Sequence, residues 1–480
     1  MPFFLTEQIN ADKQFSANSI IESRLSDKVI FNGGVNFKKL SSHNYVTVTD
    51  LLGGDFALNV DSFYSGDAAQ LDLNNPDARI LKGGTIGYNY KLFATTMDAF
   101  AQVKVSTKKV DFYLAQTVAQ TEYQREGLFK NGIYASNSFG KSTKKDFTNF
   151  GSKGGFTYKI NGRNYIDFNS MYLNRAPNLR NSFPNARKAN DYTANLESET
   201  IIGGDLSYIL RTPKLKARLT GFANQIKDAT ELSFFYAENI GDSDGDEDSF
   251  ITEIVTGIEK QNIGAELGIE YQLTSTIKAI AAASYGQYIF SDNAKLQTSD
   301  DGAASNGLNP YKDFGTVYLK DYKQAGTPQT AASFGLEYRD PKFWWIGANL
   351  NYLTDSYIDV SSILRTDNFT LDNYGDNFTG VTNESVRKIL KQEKFDDIML
   401  LNLTGGKSWM VNSKTRSTVG FFASINNVLD LEYKTGGFEQ SRKATYPDLS
   451  GDNANNTPSF GPKYFYGYGR TFFVNFYINF

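Results

Sequence analysis

The chain has 480 residues with 49 Lys plus Arg against 53 Asp plus Glu, so it lacks the basic excess that a phosphate backbone selects, and nucleic acid is not an expected partner. It contains no Cys and one His, which excludes a disulfide framework, thiol catalysis, Cys-ligated zinc or iron–sulfur sites and multi-His metal centres. The longest apolar run is Ala279 to Ala283, far below the ~20 residues of a membrane-spanning helix, while an aromatic content of 14% with frequent Gly and few Pro points to β structure.

Period-two alternation carries the secondary-structure reading, because alternate strand residues share a face. In chain order it predicts fifteen strands, with boundaries good to about 2–4 residues. The first eight are 15–22, 29–38, 96–106, 110–122, 153–160, 164–172, 200–209 and 214–226. The ninth, 262–273, sets Ile263, Ala265, Leu267, Ile269, Tyr271 and Leu273 against a polar face that includes Glu266 and Glu270. Strands 277–289, 331–339, 344–353, 398–407 and 416–425 follow. The last, 469–480, alternates Phe472, Val474, Phe476, Ile478 and Phe480 with Thr471, Asn475 and Asn479.

Short turns and loops of roughly 27 to 57 residues alternate strictly between these strands, a pattern with no place in a compact soluble domain. Soluble sandwiches, propellers and solenoids also alternate core and surface, but none requires the two loop classes to alternate, and no constant repeat is visible. An all-β transmembrane barrel requires both features: turns on one side, long outer loops on the other, a lipid face and a wet lumen. The N-terminus, MPFFLTEQINADKQF, shows no basic segment followed by an apolar stretch of signal-peptide type. Bacterial barrels have even strand numbers, so fifteen strands imply a piece of a larger wall.

The remaining signal lies in short motifs along the chain. Arg175-Ala176-Pro177 followed by Leu196-Glu197-Ser198-Glu199 is similar to the signature where a barrel strand enters and leaves an outer loop. Asn426-Asn427-Val428-Leu429-Asp430 with Tyr433 resembles the segment before the last long loop, and terminal Phe480 resembles the barrel-assembly signal. Asp50-Leu51-Leu52-Gly53-Gly54, Gly87-Tyr88-Asn89-Tyr90, Arg125-Glu126-Gly127, Asn137-Ser138-Phe139-Gly140-Lys141 and Tyr158-Lys159-Ile160-Asn161-Gly162 complete the set. With these motifs the chain resembles TonB-dependent outer-membrane receptors of the Bacteroidetes, in particular the carboxypeptidase-regulatory-like subgroup related to the Oar proteins. The resemblance implies a plugged 22-stranded barrel of which residues 1–480 supply the C-terminal fifteen strands, without the plug or TonB box. It implies outer-membrane lipid and lipopolysaccharide as surroundings. The implied partners are the TonB–ExbB–ExbD complex acting through the plug, the barrel assembly machinery, and a ligand such as an iron chelate, vitamin, glycan or oligopeptide. A plug-independent porin, surface receptor or adhesin is the alternative.

Candidate sites are few. Asp242, Asp244, Asp246 and Asp248, with Glu253 at the twelfth position from Asp242, resemble a calcium loop, although Gly245 falls at the fourth position; a solvated acidic loop is the other reading. No other cofactor is expected. Phe234, Phe235 and Tyr236 form an aromatic cluster for ligand stacking or for packing loop on loop. Lys216, Arg218, Glu266, Glu270, Glu337 and Arg339 are expected in the lumen, His43 and the tract Lys141–Lys145 in outer loops. With one His and no Cys, no nucleophile, base and orienting group can be assembled, so no enzyme activity is expected.

Overall fold

The computed structural model describes residues 3–237, 249–372, 374–412, 417–454 and 457–480. Its dominant feature is a wall of fifteen antiparallel strands: β1 Leu5–Ser26, β2 Val29–Asp50, β3 Thr85–Ser106, β4 Val110–Gly127, β5 Lys145–Lys159, β6 Asn164–Arg175, β7 Glu199–Arg211, β8 Leu215–Ala237, β9 Ser249–Gln272, β10 Ile277–Phe290, β11 Thr330–Arg339, β12 Trp344–Thr354, β13 Ile398–Asn412, β14 Ser417–Asn426 and β15 Thr471–Asn479. Each strand pairs with the next in sequence. All fifteen expected strands are present.

Their lengths differ from expectation. Strands β8 and β9 have 23 and 24 residues, against the ~10 needed to cross a bilayer at a 45° tilt. Above the bilayer both faces of β9 meet protein, and Ile251, Ile254, Val255 and Ile258 are all buried, so the lipid-versus-lumen alternation that marks its lower half is lost. The same lengthening corrects the placement of His43. It lies in β2 rather than a loop, with its Nε2 2.7 Å from Asn89 Oδ1.

The registers sort the side chains as the alternation predicts. Leu219, Leu267, Ala283, Ala332 and Tyr352 pair in turn across β8 to β12, one residue out of phase with Thr220, Glu266, Ser284 and Ala331. The first series continues a band of outward apolar residues such as Ile263, Phe334, Leu336, Ile346 and Leu350 that stay exposed among the described residues. A soluble protein does not leave so continuous an apolar surface in water. Tyr158, Tyr208, Tyr271, Trp344 and Trp409 stand exposed near the short turns, where an aromatic girdle meets the interface. On the polar face four of the six expected charges join with Lys278 into a ladder. Lys216 meets Glu270 at 2.9 Å, Lys278 bridges Glu270 and Glu337 at 3.9 and 3.8 Å, and Arg339 meets Glu337 at 2.6 Å.

The connections at one end are short, as between β3 and β4 or β11 and β12. At the other end the loops carry structure of their own. Gly140–Lys141 adds to β4, and a hairpin of Ala294–Asp300 and Tyr311–Val317 adds to the upper half of β9. Short helices lie at Asp301–Ser305, Asn383–Ile389 and Tyr446–Ala454. Among the described residues no helix is long and apolar enough to cross a membrane. The principal buried core lies here, above the lipid band: Ile251, Val255, Phe290, Leu296, Val317 and Leu319 pack against Ile363, Leu364, Phe369, Leu390 and Ala444 from the following loops.

The faces make a quantitative prediction. Leu267→Arg or Phe476→Arg should destabilise the wall in lipid by about 2–4 kcal/mol, whereas Glu266→Gln should leave it intact. Urea titration in phospholipid vesicles, followed by the gel shift of the unheated folded form, measures the difference.

Candidate ligand site

The outer loops are clamped where they leave the wall. Arg175 and Glu199 are register partners on β6 and β7, and the guanidinium donates to the Glu199 carboxylate at 2.8 Å, closing the base of the 176–198 loop. Above them Leu196 packs with Tyr123 and Phe147, and the Tyr123 hydroxyl donates to the Pro177 carbonyl at 2.9 Å. Arg125 is buried and donates to the carbonyls of Ser138 and Ala186 and to Asn190 Oδ1. Gly127 permits that approach, since a Cβ there would lie 1.7 Å from the Ser138 carbonyl oxygen. At the last loop, Asn427 adopts a φ of 49°, accepts from the Leu431 N–H and donates to the carbonyls of Leu431 and Tyr468. Asp430 accepts from the Arg470 N–H at 2.7 Å, so entry and exit are tied together.

The β8–β9 hairpin, the 355–397 loop and the 427–470 loop enclose a cavity of about 650 Å³. Its walls are Glu231 to Tyr236 and Glu253 of the hairpin, Asp359 to Ser362 of the 355–397 loop, and Gly437 to Arg442 with Phe460 and Phe465 of the 427–470 loop. Phe234 stacks on Phe250 at 6.2 Å between ring centres, Tyr236 meets Phe250 edge-on at 5.3 Å, and Phe235 packs toward the loop core. The three aromatic residues expected from the sequence therefore share one cavity wall, with rings turned both to the opening and to the core.

The second and third walls are joined by a buried ion pair. Arg365 is 3% exposed and grips both oxygens of Glu439, at 2.5 and 2.9 Å. It also donates to the carbonyls of Ser361 and Leu390 and lies over the Tyr322 ring. The backbones of the two loops hydrogen-bond as well, Asp359 N–H to the Gly437 carbonyl and Glu439 N–H to the Asp359 carbonyl, both at 2.9 Å.

Glu253 lies about twenty residues beyond the β9 turn, ~45 Å along a 45° tilt and thus clear of the ~25 Å apolar band. It is 6% exposed; one oxygen accepts from Ser233 Oγ at 2.5 Å and the other from the Ile363 N–H at 3.1 Å. Burial, opposed by these hydrogen bonds, pushes its carboxyl up to about 7 from an ordinary 4.5. Asp359 is raised by burial too, and by Glu231 and Glu439 nearby, with Lys260 opposing.

Of the expected calcium ligands only Glu253 can be placed, since Asp242, Asp244, Asp246 and Asp248 lie outside the described residues. Among the described residues no three His, Cys, Asp or Glu side chains group to hold a metal. The sequence reading missed Asp359, Arg365, Glu439, Phe438 and Phe465. Arg365 and Glu439 are 74 residues apart and carry no local signature.

No protein-family model and no curated protein sequence matches the chain. Solved structures do. It is similar to the copper transporter OprC (TM-score 0.57, 13% identity, over 98% of this chain and 56% of that one). It is equally similar to the siderophore receptor PiuA from Acinetobacter baumannii (0.57, 13%, 98% and 56%). The ferric yersiniabactin uptake receptor FyuA from Yersinia pestis matches at 0.51 and 11% identity, over 99% and 55%. The fold is that of an outer-membrane receptor β-barrel. The chain spans about half the length of these structures, which are transporters and receptors rather than enzymes.

Two predictions follow from the cavity. Breaking a buried pair leaves an uncompensated charge, so Arg365→Leu should cost about 3–5 kcal/mol in the loop assembly. Limited proteolysis should then open both the 355–397 and 427–470 loops while the wall strands stay protected. Because the Glu253 carboxyl is raised, its contribution to stability is complete below about 4.5 and is lost as pH rises through about 7. Cleavage in the 355–397 loop should therefore accelerate from pH 6 to 8 relative to Glu253→Gln, whose amide serves both Ser233 and the Ile363 N–H at every pH.

Proposed function

We propose that the chain forms most of the wall of a TonB-dependent outer-membrane receptor that takes up a scarce solute in a ligand-gated, energised manner. The observation that carries this reading is the combination of a lipid-faced antiparallel wall with an outer loop assembly packed around a cavity that is rich in aromatic residues. A passive pore has no need of such an assembly across its mouth.

The wall itself calls for more chain. Among the described residues β1 pairs only with β2 and β15 only with β14, leaving two free edges. Hydrocarbon cannot satisfy their N–H and C=O groups, so in a membrane the sheet must close through further strands. The matched structures, nearly twice as long, support the reading that about seven strands and a plug complete this receptor, with TonB acting through the plug. Barrel assembly machinery, lipopolysaccharide contact and membership of the Oar-like subgroup belong to the same proposal, as does calcium at Asp242 to Asp248.

The test is uptake. Cells lacking the gene should lose accumulation of one solute from a panel of iron chelates, vitamins, glycans and oligopeptides, and dissipating the proton-motive force in wild-type cells should produce the same loss. Uptake that survives dissipation would favour a porin; cell adhesion lost without any change in uptake would favour an adhesin.

A further inference from the structure

The charges around the cavity are not matched one to one. Glu231 of β8 is held by Lys260 of β9 at 2.5 Å, and Glu439 of the 427–470 loop by Arg365. Arg442 lies over the Phe460 ring at 4.7 Å. Glu253 and Asp359 remain, and among the described residues neither has a cation within ion-pair distance. Two features show that Asp359 is placed rather than adrift. Its N–H and carbonyl are both fixed to the 427–470 loop, and its side chain stays open to the cavity while protein surrounds it on most sides. The neighbouring wall is aromatic: Phe234, Tyr236, Phe438 and Phe465 all keep substantial ring area exposed. Carboxylates without cations in a cavity lined by partly exposed aromatic rings form the environment in which an ammonium or guanidinium is held, by charge and by ring quadrupoles.

We propose that the cavity takes a solute bearing a compact organic cation, an ammonium or guanidinium, on an aromatic or apolar body, with Asp359 as its anchor and Glu253 as the second carboxylate behind it. The inference rests on the receptor reading for its biological sense, but not for its chemistry. An anionic chelate would meet Asp359, Glu231 and Glu439 at close quarters, and a neutral glycan could hydrogen-bond to Asp359 but would leave its charge unneutralised.

The probes are three peptides built on N-acetyl-Tyr: one ending in Arg amide, one in citrulline amide as its uncharged twin, and one in Glu amide. Binding to the detergent-solubilised protein at pH 8 is measured by isothermal titration calorimetry. The Arg peptide should bind at least tenfold more tightly than either twin. Asp359→Asn should abolish the preference, and Glu253→Gln should reduce it at pH 8 but not at pH 5.5, where the wild-type group is already protonated. Equal affinity for the three peptides, a preference for the Glu peptide, binding of none of them, or an unchanged preference in Asp359→Asn would each overturn the inference. Energised uptake of an anionic solute would overturn it as well while leaving the receptor reading intact. Conversely, a clear Arg preference in a protein whose loss changes no uptake would uphold the cavity chemistry and sink the receptor.

Discussion

Every feature of this protein follows from one constraint: in hydrocarbon a backbone N–H or C=O has no water to turn to. Only pairing between neighbouring strands can satisfy those groups across fifteen segments that each cross once, so the sheet comes first and side chains are sorted by it. One face then has to tolerate lipid, as Leu267, Phe334 and Ile346 do, and the other has to tolerate water, as Glu266 and the Lys216–Glu270–Lys278–Glu337–Arg339 ladder do. Nothing in the wall needs an interior of the kind a soluble domain builds. The conventional core is displaced to the outer loops, where water again drives apolar burial.

That displacement explains why the loops behave as a single body. Strands β8 and β9 continue far above the bilayer, carry a second hairpin on their flank, and offer Ile251, Val255 and Ile258 as a surface on which the 355–397 and 427–470 loops pack. The clamps at Arg175–Glu199, Arg125–Ser138 and Asn427–Leu431 then fix where each excursion begins and ends. These clamps coincide with the stretches that resemble a known receptor family. Each clamp satisfies buried polar groups at the point where the chain leaves the ladder and would otherwise lose its partners.

The fold was legible in the sequence wherever two media impose two faces. Residues 262 to 273 alternate because lipid and lumen differ, and the closing strand alternates for the same reason. The upper half of β9 was illegible because protein covers both its faces, and His43 was misplaced because β2 runs on past its alternating part. The site was legible only in part. A run such as Phe234-Phe235-Tyr236 announces itself, whereas Asp359 and the Arg365–Glu439 pair are ordinary residues locally and become a site only when loops far apart in sequence meet. Glu253 was noticed for the spacing of an acidic loop, but its environment is set by Ser233 and Ile363, which that spacing says nothing about.

Placing an un-ion-paired carboxylate at the seam between hairpin and loops couples the cavity's contents to the stability of its walls. Below about pH 7 a proton on Glu253 removes the buried charge; above it, the charge must be borne by the loop assembly. A cation held at Asp359 lies close enough to act on Glu253, since the two carboxylates already influence one another. Proton and cationic solute therefore neutralise overlapping charge, and binding of one must weaken binding of the other by reciprocal linkage. In mildly alkaline surroundings an empty cavity is then the less stable state, and an occupied one restores the walls. On the proposed cation site, the loop assembly thus has a physical means of differing between an empty and a filled cavity without any separate moving part, because the solute replaces the proton as the neutraliser of the same buried charge.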